Sequence, residues 1–73
     1  MKLNKTQVRV LEKLYNAHET RMILSHRTEI DQMMGLADNH PDFCKVDTDR
    51  KSYSIPIYIL TVFNINLIPE LTK

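Results

Sequence analysis

The chain has little glycine and little cysteine: Gly35 and Cys44 are the only examples among its 73 residues, and tryptophan is absent. One glycine excludes the glycine-rich loops that cradle phosphate groups. One cysteine excludes an internal disulfide framework, and the residues after Met1 lack the apolar stretch of a secretion signal. We therefore expect a protein of the reducing cytoplasm.

Long apolar runs and excess charge of one sign are also missing. The longest apolar stretch, residues 55 to 63, is interrupted by Pro56 and Thr61 and is too short to span a bilayer. Ten basic and nine acidic residues give a net charge of +1, so no global field draws the chain to nucleic acid or lipid. Its length predicts one domain over residues 1–73, without a deep cleft, and we expect a monomer.

Residues 4 to 17 have the pattern of an amphipathic helix. Asn4 can cap this helix, and Gln7 can complete a capping box. The spacing predicts that one apolar stripe faces the core, comprising Val8, Leu11, Leu14 and Tyr15. The opposite face is polar and should be solvated: Lys5, Arg9, Glu12, Lys13 and Asn16.

A second helix is predicted over residues 28 to 38. Thr28 with Asp31 resembles a capping box, and His40-Pro41 ends the helix. Helical spacing places four residues toward the core: Ile30, Met33, Met34 and Ala37. The short stretch 21 to 24 fits either a strand or one helical turn.

The second half of the chain predicts extended structure. Residues 43 to 46 form one strand, 47 to 51 a polar turn, and 53 to 63 a longer strand, with Pro56 on a sheet edge or at a bulge. Two interpretations of the apolar residues in the longer strand stay open: Tyr53, Ile55, Ile57 and Tyr58 are candidates for contact with a partner, or alternation assigns Tyr53, Ile55, Ile57 and Ile59 to the inner side. The predicted fold is α+β: two main helices packed on a small antiparallel β-hairpin sheet, in a winged-helix-like arrangement.

Candidate catalytic and metal-binding groups are sparse. Ser25-His26 and Cys44 form no known catalytic motif, and the spacing of His18, His26, His40 and Cys44 does not match a zinc site. A hydrolase or nuclease using a metal held by carboxylates would depend on Asp42, Asp47 and Asp49, which lack a convincing second shell of ligands. We expect no enzymatic activity, no cofactor and no metal.

Basic and aromatic residues supply the candidate binding site. The predicted partner-binding residues are Arg21, Arg27, Lys45, Arg50, Lys51, Tyr53 and Tyr58. Acidic residues crowd the same hairpin at Asp42, Asp47 and Asp49, and this mixture of charges favours a protein partner over DNA. Three methionines, Met22, Met33 and Met34, fit either an adaptable groove or, more often, a small core.

Two resemblances bear on function. Residues 3 to 14 resemble the first helix of winged helix-turn-helix proteins, and the hairpin with Arg50-Lys51 at its tip resembles a wing. This resemblance implies a DNA-binding transcriptional regulator. Glu29 and Asp31 stand where a recognition helix would carry basic or amide residues, which argues against base reading in a groove.

In length, near-neutral charge and overall character, the chain also resembles the small transcription regulators, of the Xanthomonas phage type, with which bacteriophages take over the host RNA polymerase. That resemblance implies binding to the amino terminus of the polymerase β′ subunit and to the β flap. It further implies inhibition of initiation at host promoters and suppression of termination, with DNA contacted only through the transcription complex.

Overall fold

The computed structural model describes residues 2–49 and 55–65, which form helices α1 (Lys5–Ala17) and α2 (Arg27–Asn39) and strands β1 (Arg21–Leu24), β2 (Cys44–Asp49) and β3 (Ile57–Val62). The strands make one antiparallel sheet in the order β1-β3-β2. This confirms the predicted α+β class. The winged-helix-like arrangement stays a prediction.

Helix α1 begins with the predicted capping box. The Asn4 side chain accepts a hydrogen bond from the Gln7 backbone at 2.9 Å, and the Gln7 side chain accepts one from the Asn4 backbone at 3.0 Å. The buried apolar residues of the helix are Val10, Leu11 and Leu14, with Tyr15 packed beside them. Val8 is partly exposed, so its predicted place in the core is wrong; Val10 takes that place.

Helix α2 differs from its prediction at both its start and its buried face. It begins at Arg27 after His26, which makes no side-chain capping bond, so the capping box expected of Thr28 and Asp31 is wrong. Asp31 instead pairs with Arg27, its Oδ1 lying 3.3 Å from the arginine Nε. The buried apolar residues of the helix are Ile30, Met33 and Leu36.

Met34 is 40% exposed, so its predicted burial is wrong. The buried residues at positions 29, 30, 33 and 36 follow a single line along α2, and Met34 lies outside it. Ala37 is partly buried and packs against the core, as expected.

The sheet decides one open expectation about its strands and corrects others. Residues 21 to 24 form a strand, one of the two alternatives. Residues 47 to 49, predicted as a turn, extend β2, and the rest of that turn, residues 50 and 51, lies outside the described part. Of the long strand predicted over 53 to 63, only Ile57–Val62 is strand among the described residues, and residues 53 and 54 are not described. Pro56 stands just before β3, where a missing backbone N–H costs no ladder bond. Because β3 pairs with both neighbours, it is the central strand and not the expected edge.

The faces of β3 are the reverse of those predicted by alternation. Leu60 and Val62 are buried, whereas Ile57 and Ile59 are only partly buried on the opposite face. Both alternating sets are apolar, so sequence alternation could not fix which set faces the helices. The inward alternative for Ile57 and Ile59 is therefore wrong. Ile55 is 75% exposed and Ile57 faces outward, as the alternative of a partner contact requires, and Tyr53 lies outside the described residues.

Three polar contacts tie the helices together, one of them the hydrogen bond that the side chain of the capping residue Asn4 donates to the Gln32 side chain. The Gln7 side-chain amide donates to the backbone carbonyl of Gln32 at 3.1 Å, and Lys13 Nζ lies 3.4 Å from Glu29 Oε2. Gln7 and Glu29 are each only 9% exposed, so both would lose hydration if their partners were removed. These contacts set α1 against α2 and position both helices over one face of the sheet.

Replacing Asn4 with alanine should lower the free energy of unfolding by about 1 kcal/mol, mainly because the cap of α1 is lost; the exposed hydrogen bond from Asn4 to Gln32 is lost as well. Urea unfolding monitored by far-UV circular dichroism would measure the change. Asn16→Ala, on the exposed face of the same helix, is the matched control and should leave stability nearly unchanged. Equal effects of the two substitutions would contradict the capping role.

Replacing Gly35 with alanine should raise the free energy of unfolding by about 0.5–1 kcal/mol, because glycine is a poor helix former. A Cβ atom built at this exposed helical position meets no atom within 4 Å, so nothing opposes the gain. Thermal and urea unfolding would measure it, with Gly35→Pro as a control of opposite sign. A lower stability for the alanine variant would show that the position is constrained.

Candidate functional site

The sheet has one face packed against the helices and one face turned away from them. On the packed side, Leu24, Cys44, Leu60 and Val62 are buried in the core. Period-two alternation places the other set of side chains on the opposite side, which we call the outer face: Arg21, Ile23, Lys45, Asp47, Asp49, Ile57, Ile59 and Thr61. The outer face is the candidate binding surface.

The strand register orders these side chains in rows. Arg21 and Lys45 both lie opposite Thr61, one on each side, so they share a row about 10 Å wide. In the next row Ile59 lies between Ile23 and Asp47. The outer face thus combines a basic end with an apolar middle and an acidic side.

Isoleucine side chains make the middle of the outer face apolar. Ile23 is 63% exposed, and Ile57 and Ile59 are partly exposed. Beyond the two ends of β3, Ile55 and Phe63 are exposed as well. A run of exposed branched and aromatic residues rimmed by charges is typical of a surface that docks on another protein.

The structure brings together only part of the predicted binding site. Arg21 and Lys45 share the basic row of the outer face. Arg27 lies apart, at the start of α2, in its ion pair with Asp31. Tyr58 lies on the opposite side of the sheet, partly buried against the core, so it is not part of the outer face and its role in binding stays a prediction. The remaining three predicted residues lie outside the described part: Arg50, Lys51 and Tyr53.

Ile23 and Ile59 are the site residues that the sequence did not reveal. Ile23 belonged to a stretch too short to assign, and Ile59 was placed on the inner side. An apolar strand between two strands that carry charged side chains indicates such a surface. This pattern can be recognised only when β3 is known to be the central strand of the sheet.

Charges on and near the outer face are partly neutralised locally. Lys45 Nζ lies 3.3 Å from Asp47 Oδ2, and both side chains remain more than half exposed. Arg21 forms no ion pair with any of residues 2–49 and 55–65. An exposed pair such as Lys45–Asp47 adds little stability and can exchange partners, whereas Arg21 is available to a new carboxylate.

The lone thiol belongs to the core. Cys44 is fully buried, and burial raises its pKa to about 11. A nucleophilic or metal-binding cysteine needs an accessible, readily ionised thiol, so this environment suits packing and not chemistry. Within residues 2–49 and 55–65, no three His, Cys, Asp or Glu side chains are placed to hold a metal ion.

No helix within the described ranges has the length and apolar character needed to cross a membrane.

An open depression at another part of the surface lies between the end of α1 and Ile65, with a volume of about 390 Å³. Tyr15, His18 and Glu19 contribute to its walls. His18 ends α1 in the left-handed conformation, with φ 56°, so its position is set by helix termination.

The buried thiol should react slowly. At about pH 8 a pKa near 11, compared with the ordinary 9.0, leaves about 100-fold less thiolate, so the folded protein should react with Ellman's reagent at least that much more slowly than in concentrated urea. An exposed Ser25→Cys thiol in a Cys44→Ser background is the fast-reacting control.

The pKa of the Cys44 thiol is higher in the folded protein than in the unfolded chain. The contribution of this thiol to the free energy of unfolding is therefore complete below pH 9.0 and falls as the pH rises toward about 11. Urea unfolding over that range would measure the fall. Rapid labelling of Cys44 in the native protein would contradict its burial.

No protein-family model, no curated protein and no solved structure matches this chain. A function for it must therefore be argued from its own residues, above all from those of the outer face.

Proposed function

We propose that this protein acts by binding another protein through its outer face and catalyses no reaction. The observation that carries the proposal is the row structure of that face, with Ile23 and Ile59 flanked by basic and acidic side chains. Apolar centres with charged surroundings are typical of protein contacts, because the apolar groups supply affinity and the charges supply specificity.

The proposed partner is bacterial RNA polymerase, bound at the amino terminus of its β′ subunit and at the β flap. Length, near-neutral charge and overall character support this choice through their resemblance to small bacteriophage regulators. The protein would then inhibit initiation at host promoters and suppress termination, in the host bacterial cytoplasm. A domain of this size offers a surface and no cleft, which suits a regulator that works by occupying a site on a larger enzyme.

A winged-helix DNA-binding regulator is the second candidate. The antiparallel pair formed by β2 and β3 follows α2 along the chain, as a wing follows a recognition helix, and supports this candidate. The described part of the chain has one helix between β1 and β2, whereas a helix-turn-helix needs two consecutive helices. The first turns of α2 also carry Glu29 and Asp31, each paired to a cation, which weakens the case for base contacts.

The two candidates differ in how binding responds to salt. Phosphate contacts make the affinity for duplex DNA fall steeply with the logarithm of salt concentration, whereas a mixed protein interface responds less. Interferometry with purified core polymerase, its separate β′ amino-terminal and β-flap fragments, and a DNA duplex would compare all partners at two salt concentrations. Tight, steeply salt-dependent binding to the duplex alone would contradict the polymerase proposal.

Replacing Ile59 with lysine should weaken polymerase binding at least about tenfold, because a charge enters the apolar middle of the outer face. Met34→Lys, also an apolar-to-lysine change but on an exposed position of α2, should change the affinity less than about twofold. Circular dichroism would establish that both variants are folded. Equal affinity of the two variants would place the contact outside the outer face.

A further inference from the structure

Strand β1 lies at one edge of the sheet, and its register shows which of its backbone groups are free. The Val62 N–H donates to the Thr20 carbonyl at 2.7 Å, so these two residues form a bonded pair of the antiparallel ladder. Bonded and non-bonded pairs alternate along such a ladder. Met22 and Leu24 therefore bond to β3, whereas the backbone N–H and C=O groups of Arg21 and Ile23 point away from the sheet.

The same argument applies to β2, the other edge. The Phe63 N–H donates to the Phe43 carbonyl at 2.7 Å, so the outward backbone groups of β2 belong to Cys44, Val46 and Thr48. This edge is partly used, because β2 packs beside α2 and the Cys44 N–H donates to His40. Between the two edges, β1 is the more accessible to an incoming strand.

An apolar depression of about 500 Å³ adjoins the end of β1. Its walls are mainly apolar and come from β1, α2 and the start of β3: Leu24, Ile30, Ile55, Ile57 and Tyr58. Arg27 also contributes to the lining. A strand placed along β1 would pass this depression, which has the size and lining to receive an apolar side chain.

Arg21 adds a charge preference to the same edge. Its side chain is exposed, stands on the outer face and has no ion-pair partner among residues 2–49 and 55–65. The guanidinium group matches a carboxylate in shape and charge. An acidic residue in an incoming strand could therefore pair with Arg21 while that strand bonds to the free backbone groups.

We propose that β1 is a docking edge for an extended, acidic peptide segment of a partner protein. The segment adds a fourth strand beside β1, bonds to the outward groups of Arg21 and Ile23, places a carboxylate at Arg21 and inserts an apolar side chain near Leu24. This inference rests on the proposed function and specifies the kind of polymerase segment that the protein would bind.

A second copy of this chain fits the edge less well. Its own β1, Arg21–Leu24, carries a cation and no carboxylate, so Arg21 would lack an acidic partner in that strand. Its β2 packs beside α2 and has Asp47 already paired with Lys45, which makes β2 a poorer strand to offer. The free backbone groups alone would not distinguish a copy from a partner. The charge of Arg21 does, and it favours an acidic peptide.

The test uses a displayed library of random eight-residue peptides selected on the purified full chain. We expect enriched peptides to combine an acidic residue with branched or aromatic residues. They should bind Ile23→Pro at least about tenfold more weakly, because proline removes an outward N–H and leaves the bonds to β3 intact. Thr48→Pro removes an outward N–H from the other edge and is the matched control, with binding expected within about twofold.

A charge reversal provides the second measurement should Ile23→Pro be unfolded by circular dichroism. Arg21→Glu should abolish binding of the acidic peptides, and Arg9→Glu, the same charge reversal on the exposed face of α1, should weaken it less than about twofold. Enriched peptides without acidic residues, equal losses on both edges, or a dimer of the chain formed through β1 would overturn the inference.

Polymerase binding by the same variants separates the two proposals. Loss of polymerase binding in Ile23→Pro that is larger than in Ile23→Ala, with Thr48→Pro unchanged, supports both, because Ile23→Ala also removes the outer-face side chain but keeps the outward N–H. Unchanged polymerase binding in folded Ile23→Pro overturns the docking edge and leaves the polymerase as partner. Peptides that bind β1 in a protein without affinity for polymerase overturn the polymerase proposal and leave the docking edge.

Discussion

The two-residue period of β3 is the constraint on which the rest of the structure depends. One set of its side chains, including Leu60 and Val62, must be buried against the helices to form a core in so short a chain. The alternate set is then committed to the other side of the sheet, whatever its polarity. Ile57 and Ile59 are thus left on the outer face, and the proposed binding surface follows directly from how the core is made.

The helices hold this arrangement through polar contacts as well as apolar packing. The Gln7 side chain both completes the cap of α1 and bonds to the backbone of α2, so the start of one helix is fixed against the middle of the other. Lys13 and Glu29 add a partly buried ion pair between them. With both helices on one side, the chain stabilises its core while the opposite side of the sheet stays open to a partner.

Local signals made some elements predictable and left others ambiguous. The capping box of α1 is a short-range pattern, and Asn4 and Gln7 revealed it without knowledge of the fold. The side of β3 that is buried could not be read, because both of its alternating sets are apolar and only packing against the helices distinguishes them. Residues 47 to 49 have the composition of a turn but pair with β3. Their hydrogen bonds to the central strand outweigh the low intrinsic strand propensity of aspartate.

The candidate site, like the fold, could be predicted only in part from the sequence. Arg21 and Lys45 were predicted as binding residues by their charge, and the register shows them in one row. The aromatic ring of Tyr58 also suggests a binding residue, but the ring lies on the packed side of β3, away from Arg21 and Lys45. Composition suggests which residue types bind, whereas the face that each occupies depends on strand order.

Strand order also determines how the sheet can assemble. β1 and β2 each pair with β3 and not with one another, although both precede it along the chain. Every ladder bond in the sheet therefore waits for the last of the three strands to emerge from the ribosome and insert between the other two. Until then the nascent chain can form helical turns but no sheet, and the backbone groups and apolar side chains of β1 and β2 stay without their partners.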